Sequence, residues 1–184
     1  MKTEQDILDL VAQDEWMMEV LREVRKLDLP DWWIGAGFIR NKVWDVLHGY
    51  QQRTPLNDID VIYFDPKNIA IEIQDAFWQK LVDARPELPW SLKNQATIHT
   101  RNDDDPYTSS TDALAHWIET PTCVAISLDY ADRLKLSAPH GIDDLVNLIV
   151  RPNPLLKRPT DIYKERIGKK NWAQIWPKLN IIGF

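Results

Sequence analysis

The most constraining feature of this chain is the segment Trp32-Trp33-Ile34-Gly35-Ala36-Gly37, an apolar run closed by two glycines. Phe38, Ile39, Val43, Trp44 and Leu47 follow at helical spacing, so the segment reads as strand, tight turn and amphipathic helix. Gly35 and Gly37 are two of only six glycines in the chain, and a glycine at such a junction lets backbone amides at a helix N-terminus approach a phosphate closely. The spacing is not that of a dinucleotide fingerprint, because Arg40 stands where the third glycine belongs, and the Gly-Lys-Ser/Thr of a P-loop is absent.

Asp58-Ile59-Asp60 opens the next apolar strand, 21 residues beyond Gly37, and Asp65-Pro66 stops it. Residues two apart on a strand share a face, so both carboxylates point one way. Their repulsion makes double ionisation costly unless a hard divalent cation, Mg²⁺ or Mn²⁺, offsets it. Taken alone, such a pair is more often a solvated strand end with two unconnected acids. Joined to the glycine turn, it points to a nucleotide and metal site.

Around this unit the periodicity predicts a helix to about Lys26, helices over 38–47, 69–82, 112–118 and 141–149, and strands over 58–64, 89–98, 124–128 and 134–136. Two short helical pieces follow around Tyr163 and Trp172. Alternating helices and strands in 184 residues predict one domain, 1–184, of class α/β or α+β with a mixed sheet flanked by helices. Most of the nine tryptophans are expected to pack the core or the sheet, with Trp44 and Trp117 on buried helix faces.

A hydrophobic content of 44% and a charged content of 27% exclude a disordered chain. No apolar run is long enough to span a membrane, and MKTEQDILDL carries acids where a signal peptide carries bases, so the expected location is cytoplasmic, with no membrane partner. The single Cys123 rules out an internal disulfide and a cysteine zinc site, and no disulfide-linked partner is expected. The four histidines lack metal-ligand spacing, and no serine sits in a nucleophile elbow.

The net charge of −6 argues against a generic nucleic-acid coat. It conceals an asymmetry: residues 151–184 carry eight bases against Asp161 and Glu165. This basic extension is expected to pack on the acidic body; it either complements the body or receives an anionic substrate, and a merely solvated face is the commoner outcome.

GAGFIRNKVWDVLHG followed by NDIDVIYFD resembles the signature of the DNA polymerase β-type nucleotidyltransferase superfamily, and more closely a small bacterial nucleotidyltransferase-like family. The resemblance extends through WSLKNQATIH, SSTDALAHWIETPTCVAISL, APHGIDDLVNLIVRPNP and the closing WPKL. Residues 36–41 and 58–60 are also similar to the catalytic head of tRNA CCA-adding enzymes, whose turn is usually Gly-Gly followed by Arg-Asp; Ala36 and Asn41 depart from that pattern.

The resemblance implies a polymerase β-type fold in which Asp58 and Asp60 hold Mg²⁺ or Mn²⁺ and act catalytically. It implies that Gly35, Ala36, Gly37, Arg40, Asn41 and Lys42 receive a nucleoside triphosphate, with Ser91 and Lys93 nearby on an adjacent strand. The reaction would pass a nucleoside monophosphate to an acceptor that is a metabolite, a protein or RNA. The superfamily normally supplies a third carboxylate, and Ser91 occupies the matching position. Ser91 cannot be anionic at neutral pH, so two alternatives stand beside the enzyme: a relative that binds nucleotide and metal without transfer, and a protein-interaction module on the same fold. Replacement acids would have to come from Asp103-Asp104-Asp105 or Glu72.

Overall fold

The computed structural model describes residues 1–157 and 159–183. The long N-terminal helix expected from the periodicity is two helices, α1 (Glu4–Ala12) and α2 (Glu15–Arg25). Asp14 separates them: its carboxylate accepts from the Met17 amide at 3.1 Å and so caps α2. Strand β1 (Trp33–Gly35) runs through the turn into α3 (Gly37–His48), which Gly49 closes in the left-handed conformation. β2 (Ile59–Tyr63) and α4 (Ile71–Ala84) lie close to their expected positions.

β3 (Trp90–Asn94) is shorter than expected, and residues 95–98 are not strand but the start of α5 (Gln95–Asn102). Asn94 makes the switch. Its Oδ1 accepts from the Ala96 amide at 3.2 Å, capping α5, and from the Asp65 amide at 3.0 Å, while its Nδ2 donates to the Asp65 and Asn68 carbonyls. α6 (Ser110–Ala115) starts two residues early because Ser109 caps it, and ends before Trp117. Trp117 therefore sits in the following turn rather than on a helix face.

A 3-10 turn at Thr120–Thr122 precedes β4 (Ala125–Leu128) and β5 (Leu134–Ser137). The helix expected over 141–149 is a single turn, α7 (Asp143–Val146), broken where Leu148 takes a φ of 58°, and the chain continues as β6 (Ile149–Val150). α8 (Pro159–Lys170), α9 (Trp172–Ile175) and β7 (Asn180–Ile181) complete the described chain.

The main sheet has the order β3-β2-β1-β4-β5, with β2 and β3 parallel and the other pairs antiparallel. The separate β6-β7 pair is parallel. Register divides the main sheet into two chemically different faces. Ile34, Val61, Leu92 and Ile126 lie side by side on one, all buried, and α1, α2 and α4 pack there to form the main core. The other face carries the row Gly35, Asp60 and Ser91 and the row Trp33, Ile62 and Lys93. A small cluster of Ile62, Leu114 and Ala125, flanked by Trp33 and Trp117, packs on it beside a cleft.

The C-terminal segment is anchored by aromatic burial. Trp172 and Trp176 pack edge-on against Trp44 of α3 with ring centroids 5.5 and 5.1 Å away, and Tyr163 is also buried. No helix among the described residues is long and apolar enough to cross a membrane.

Candidate active site

The cleft has a volume of about 630 Å³, and its lining includes Ala36, Asp60, Lys93, Trp117, Thr122 and Arg166. Asp60 stands in register between Gly35 and Ser91. Asp58 lies one residue before β2, exposed, and close enough to act on its neighbour. Burial first, and then the Asp58 charge, push the Asp60 carboxyl up to about 6; the Ser91 hydroxyl and the Arg40 and Arg166 cations pull it back.

These two carboxylates and the Ser91 hydroxyl make a donor set that could hold one hard divalent cation, completed by water or phosphate oxygens. Among the described residues no cluster of three or more histidine, cysteine, aspartate or glutamate side chains is placed to hold a metal. Of the suggested replacement acids, Asp103 and Asp104 line the same cleft and Glu72 does not.

The glycine turn divides its work. A Cβ on Gly35 would come within 2.7 Å of Trp117 Cη2, so this glycine makes room for the indole ring. A Cβ on Gly37 would meet only ordinary contacts, the nearest being Arg40 Nη2 at 3.5 Å, so internal packing does not require a glycine there. Between them Ala36 takes φ 51° and ψ −121°, a conformation that favours glycine and costs an alanine on the order of 1–3 kcal/mol. No side chain caps α3; the Ile39 and Arg40 amides donate to the Ala36 carbonyl at 3.3 and 2.9 Å, which leaves the Gly37 and Phe38 amides available to an anion.

The three consecutive side chains after the turn go different ways. Arg40 is buried, with Nη1 donating to Thr122 Oγ1 at 3.0 Å, Nη2 donating to Asn41 Oδ1 at 2.9 Å and its guanidinium 4.4 Å from the centre of the Trp172 ring. Burial lowers its pKa to about 10, against the opposing pull of Glu119. Asn41 is buried as the partner of Arg40. Lys42 departs from the expected triphosphate group: its Nζ pairs with Asp14 at 2.8 Å, an acid that Arg53 also holds at 2.6 Å. A helix turns by about 100° per residue, so Lys42 leaves the face that carries Arg40. Lys93 stays on the cleft wall, exposed, two residues along β3 from Ser91.

Four residues that the motifs did not single out belong to this site. Glu119 is fully buried; its Oε1 accepts from Arg166 Nε at 2.5 Å and its Oε2 from Thr122 Oγ1 at 2.9 Å. Arg166 of α8 reaches the cleft, and Lys170 lies one turn further along the same helix. The surplus of bases in residues 151–184 was a visible signal for Arg166 and Lys170. Nothing in the sequence around Glu119 or Thr122 marked either residue.

The family model described as Nucleotidyltransferase matches residues 22–181. The chain belongs to this nucleotidyltransferase family. Along its whole length the chain is similar to a protein whose NMR structure reveals a CCA-adding enzyme head domain, with 34% identity, a TM-score of 0.87 and coverage of 98% of that chain. Two longer proteins share the fold at 15% identity and a TM-score of 0.56: the Thermotoga maritima CCA-adding enzyme complexed with tRNA, and a CCA-adding enzyme in complex with CTP. Each match covers 96% of this chain and 42% of the other, so the chain spans less than half of those enzymes. No protein of curated function matches it. The mixed sheet, its helices and these neighbours identify the polymerase β-type nucleotidyltransferase fold expected from the sequence.

Proposed function

We propose that this protein transfers a nucleoside monophosphate from a nucleoside triphosphate to an acceptor hydroxyl, with Asp58 and Asp60 holding one divalent cation, Mg²⁺ or Mn²⁺. The observation that carries this reading is the position of Asp60 in the cleft, in register with Gly35 and beside Asp58, next to the uncapped start of α3. A cation bound there screens the triphosphate charge and makes the α-phosphorus more open to attack.

The chain's own groups do the rest. The free amides at the start of α3 receive phosphate oxygens, and the missing Cβ of Gly37 lets them come close. Lys93 adds positive charge from the cleft wall, and the Trp117 ring beside Gly35 offers a face on which a base can stack. The acceptor oxygen forms a bond to the α-phosphorus, the bond to the bridging oxygen of pyrophosphate breaks, and the acceptor proton leaves to solvent.

The test is calorimetric titration of each nucleoside triphosphate with and without Mg²⁺, on the protein and on Asp58→Asn/Asp60→Asn. Binding that needs both the metal and the carboxylates supports the reading; no triphosphate binding at all overturns it in favour of an interaction module.

Ser91 favours a second reading, a relative that binds nucleotide and cation without transferring. Ser91→Asp separates the two, because a third carboxylate in register with Asp60 is expected to raise metal-dependent pyrophosphate release at least tenfold. Unchanged release in that variant would sink loss of the third carboxylate as the limiting factor.

A further inference from the structure

With Ser91 in register with Asp60, no third carboxylate stands ready to take the proton of an attacking hydroxyl. Another group on the cleft wall has the surroundings of a proton acceptor. His116 lines the cleft together with Asp60 and sits in the turn that ends α6. Its neighbour Trp117 packs against Gly35, which is the strand partner of Asp60. The carbonyls on either side of His116 are tied down. The fully buried Asn153 donates through Nδ2 to the Ala115 and Trp117 oxygens, both at 2.6 Å, and His140 Nε2 donates to the Ala115 oxygen at 2.8 Å.

The two ring nitrogens of His116 differ. Nδ1 is closed off from solvent without a hydrogen bond and faces Asp104 Oδ2 at 3.6 Å, an ion-pair distance longer than a hydrogen bond. Nε2 is not closed off in this way and bonds to nothing among the described residues. Asp104, which also lines the cleft, is itself held: its Oδ2 accepts from the Tyr107 hydroxyl at 2.5 Å, and that hydroxyl accepts from Asn102 Nδ2 at 3.0 Å. Burial, and then the bond to Asp104, push the Tyr107 phenol up, so it stays a donor. The Tyr107 and His116 rings pack with centroids 5.2 Å apart. A carboxylate facing Nδ1 favours the tautomer with its proton there, which leaves a lone pair on Nε2, and it stabilises the imidazolium that forms when Nε2 is protonated.

We propose that His116, with Asp104 as its positioning residue, takes the proton of the acceptor hydroxyl on Nε2 in place of the missing third carboxylate. This role rests on the nucleotidyl-transfer reading. The acceptor oxygen keeps the electron pair of its O–H bond and forms the bond to the α-phosphorus, while the bond to the bridging oxygen of pyrophosphate breaks. The proton moves to Nε2, and the imidazolium facing Asp104 passes it to solvent after the product leaves.

The first experiment needs no nucleotide. The whole chain is treated with diethyl pyrocarbonate and the modified histidines are mapped by peptide mass. His116 is expected to be acylated, and severalfold more slowly in Asp104→Asn. His48 is the protected control, since its Nδ1 bonds the Trp44 carbonyl and its Nε2 accepts from the Lys178 amide. The second experiment follows pyrophosphate release with Mg²⁺ and each nucleoside triphosphate, with water and glycerol as acceptors. His116→Ala is expected to lower kcat about a hundredfold while KM for the triphosphate stays nearly unchanged, with added imidazole restoring part of the loss. His116→Gln fills the space of the ring without a base, so it is expected to lose as much kcat and to gain nothing from imidazole. Asp104→Asn is expected to fall between these variants and the unmodified chain.

No acylation of His116 in the folded chain overturns the proposal, as does unchanged kcat in both His116 variants; either result leaves nucleotidyl transfer standing. A loss in His116→Ala that imidazole does not relieve assigns the ring a structural role and overturns it as well. No pyrophosphate release by the unmodified chain removes the transfer reading and this role with it.

Discussion

Asp60 titrates near pH 6 because burial and Asp58 both disfavour its charge, whereas an unfolded aspartate titrates near 4. Between those values the folded chain binds more protons than the unfolded one. Stability therefore falls as pH rises from about 4 to about 6, and the deficit persists above that range. Asp60→Asn removes the charge, so it is expected to stabilise the metal-free protein by about 2 kcal/mol at pH 7 and hardly at all at pH 4. Urea denaturation at the two pH values checks this, and an equal effect at both would refute the assignment. On the proposed reading, Mg²⁺ raises the melting temperature of the unmodified protein at pH 7.5, with an effect that shrinks below pH 6 and vanishes in the variant.

At the scale of the element, the turn between β1 and α3 holds two glycines with different duties. Gly35→Ala drives a Cβ into the Trp117 ring and towards the Val124 carbonyl, 3.4 Å away. It is expected to cost about 1–3 kcal/mol, read as a lower urea midpoint. Gly37→Ala meets no such obstacle and begins a helix, where alanine is favoured over glycine, so stability should hold or rise slightly. Its effect is expected in binding instead, with nucleoside triphosphate affinity lowered about tenfold if phosphate approaches the amides there. A fall in stability for Gly37→Ala equal to that for Gly35→Ala would show that both glycines serve packing alone.

The whole molecule depends on its C-terminal segment. Trp176 is buried against Trp44, and its Nε1 donates to Asp45 Oδ1 at 2.8 Å, tying the chain beyond α9 to α3. Trp176→Ala removes the ring and leaves that carboxylate without its indole donor, which is expected to cost about 3–5 kcal/mol. Chemical denaturation followed by the remaining tryptophans should still show one transition, moved to lower urea. Two separate transitions would instead mean that the C-terminal segment folds independently of the sheet. The same packing places Arg166 against Glu119, so a basic segment distant in sequence becomes part of the cleft wall.

What the chain's own pattern determined was local. The apolar run, the two glycines and the paired aspartates marked β1, the turn, α3 and β2 because strand and helix periods impose themselves over a few residues. The same period placed Asp60 on the cleft face, in register with Gly35 and Ser91, while Asp58 lies one residue before the strand. Where side-chain hydrogen bonds compete with periodicity, the pattern misled: Asp14 splits the first helix and Asn94 turns β3 into α5. Tertiary structure alone decided the partners. It sent Lys42 to Asp14, put Trp117 over Gly35, and buried Arg40 with Thr122. It also brought Glu119, Arg166 and Lys170 to the carboxylates, because cross-chain charge pairing depends on which elements pack together and leaves no periodic trace in the residues that carry it.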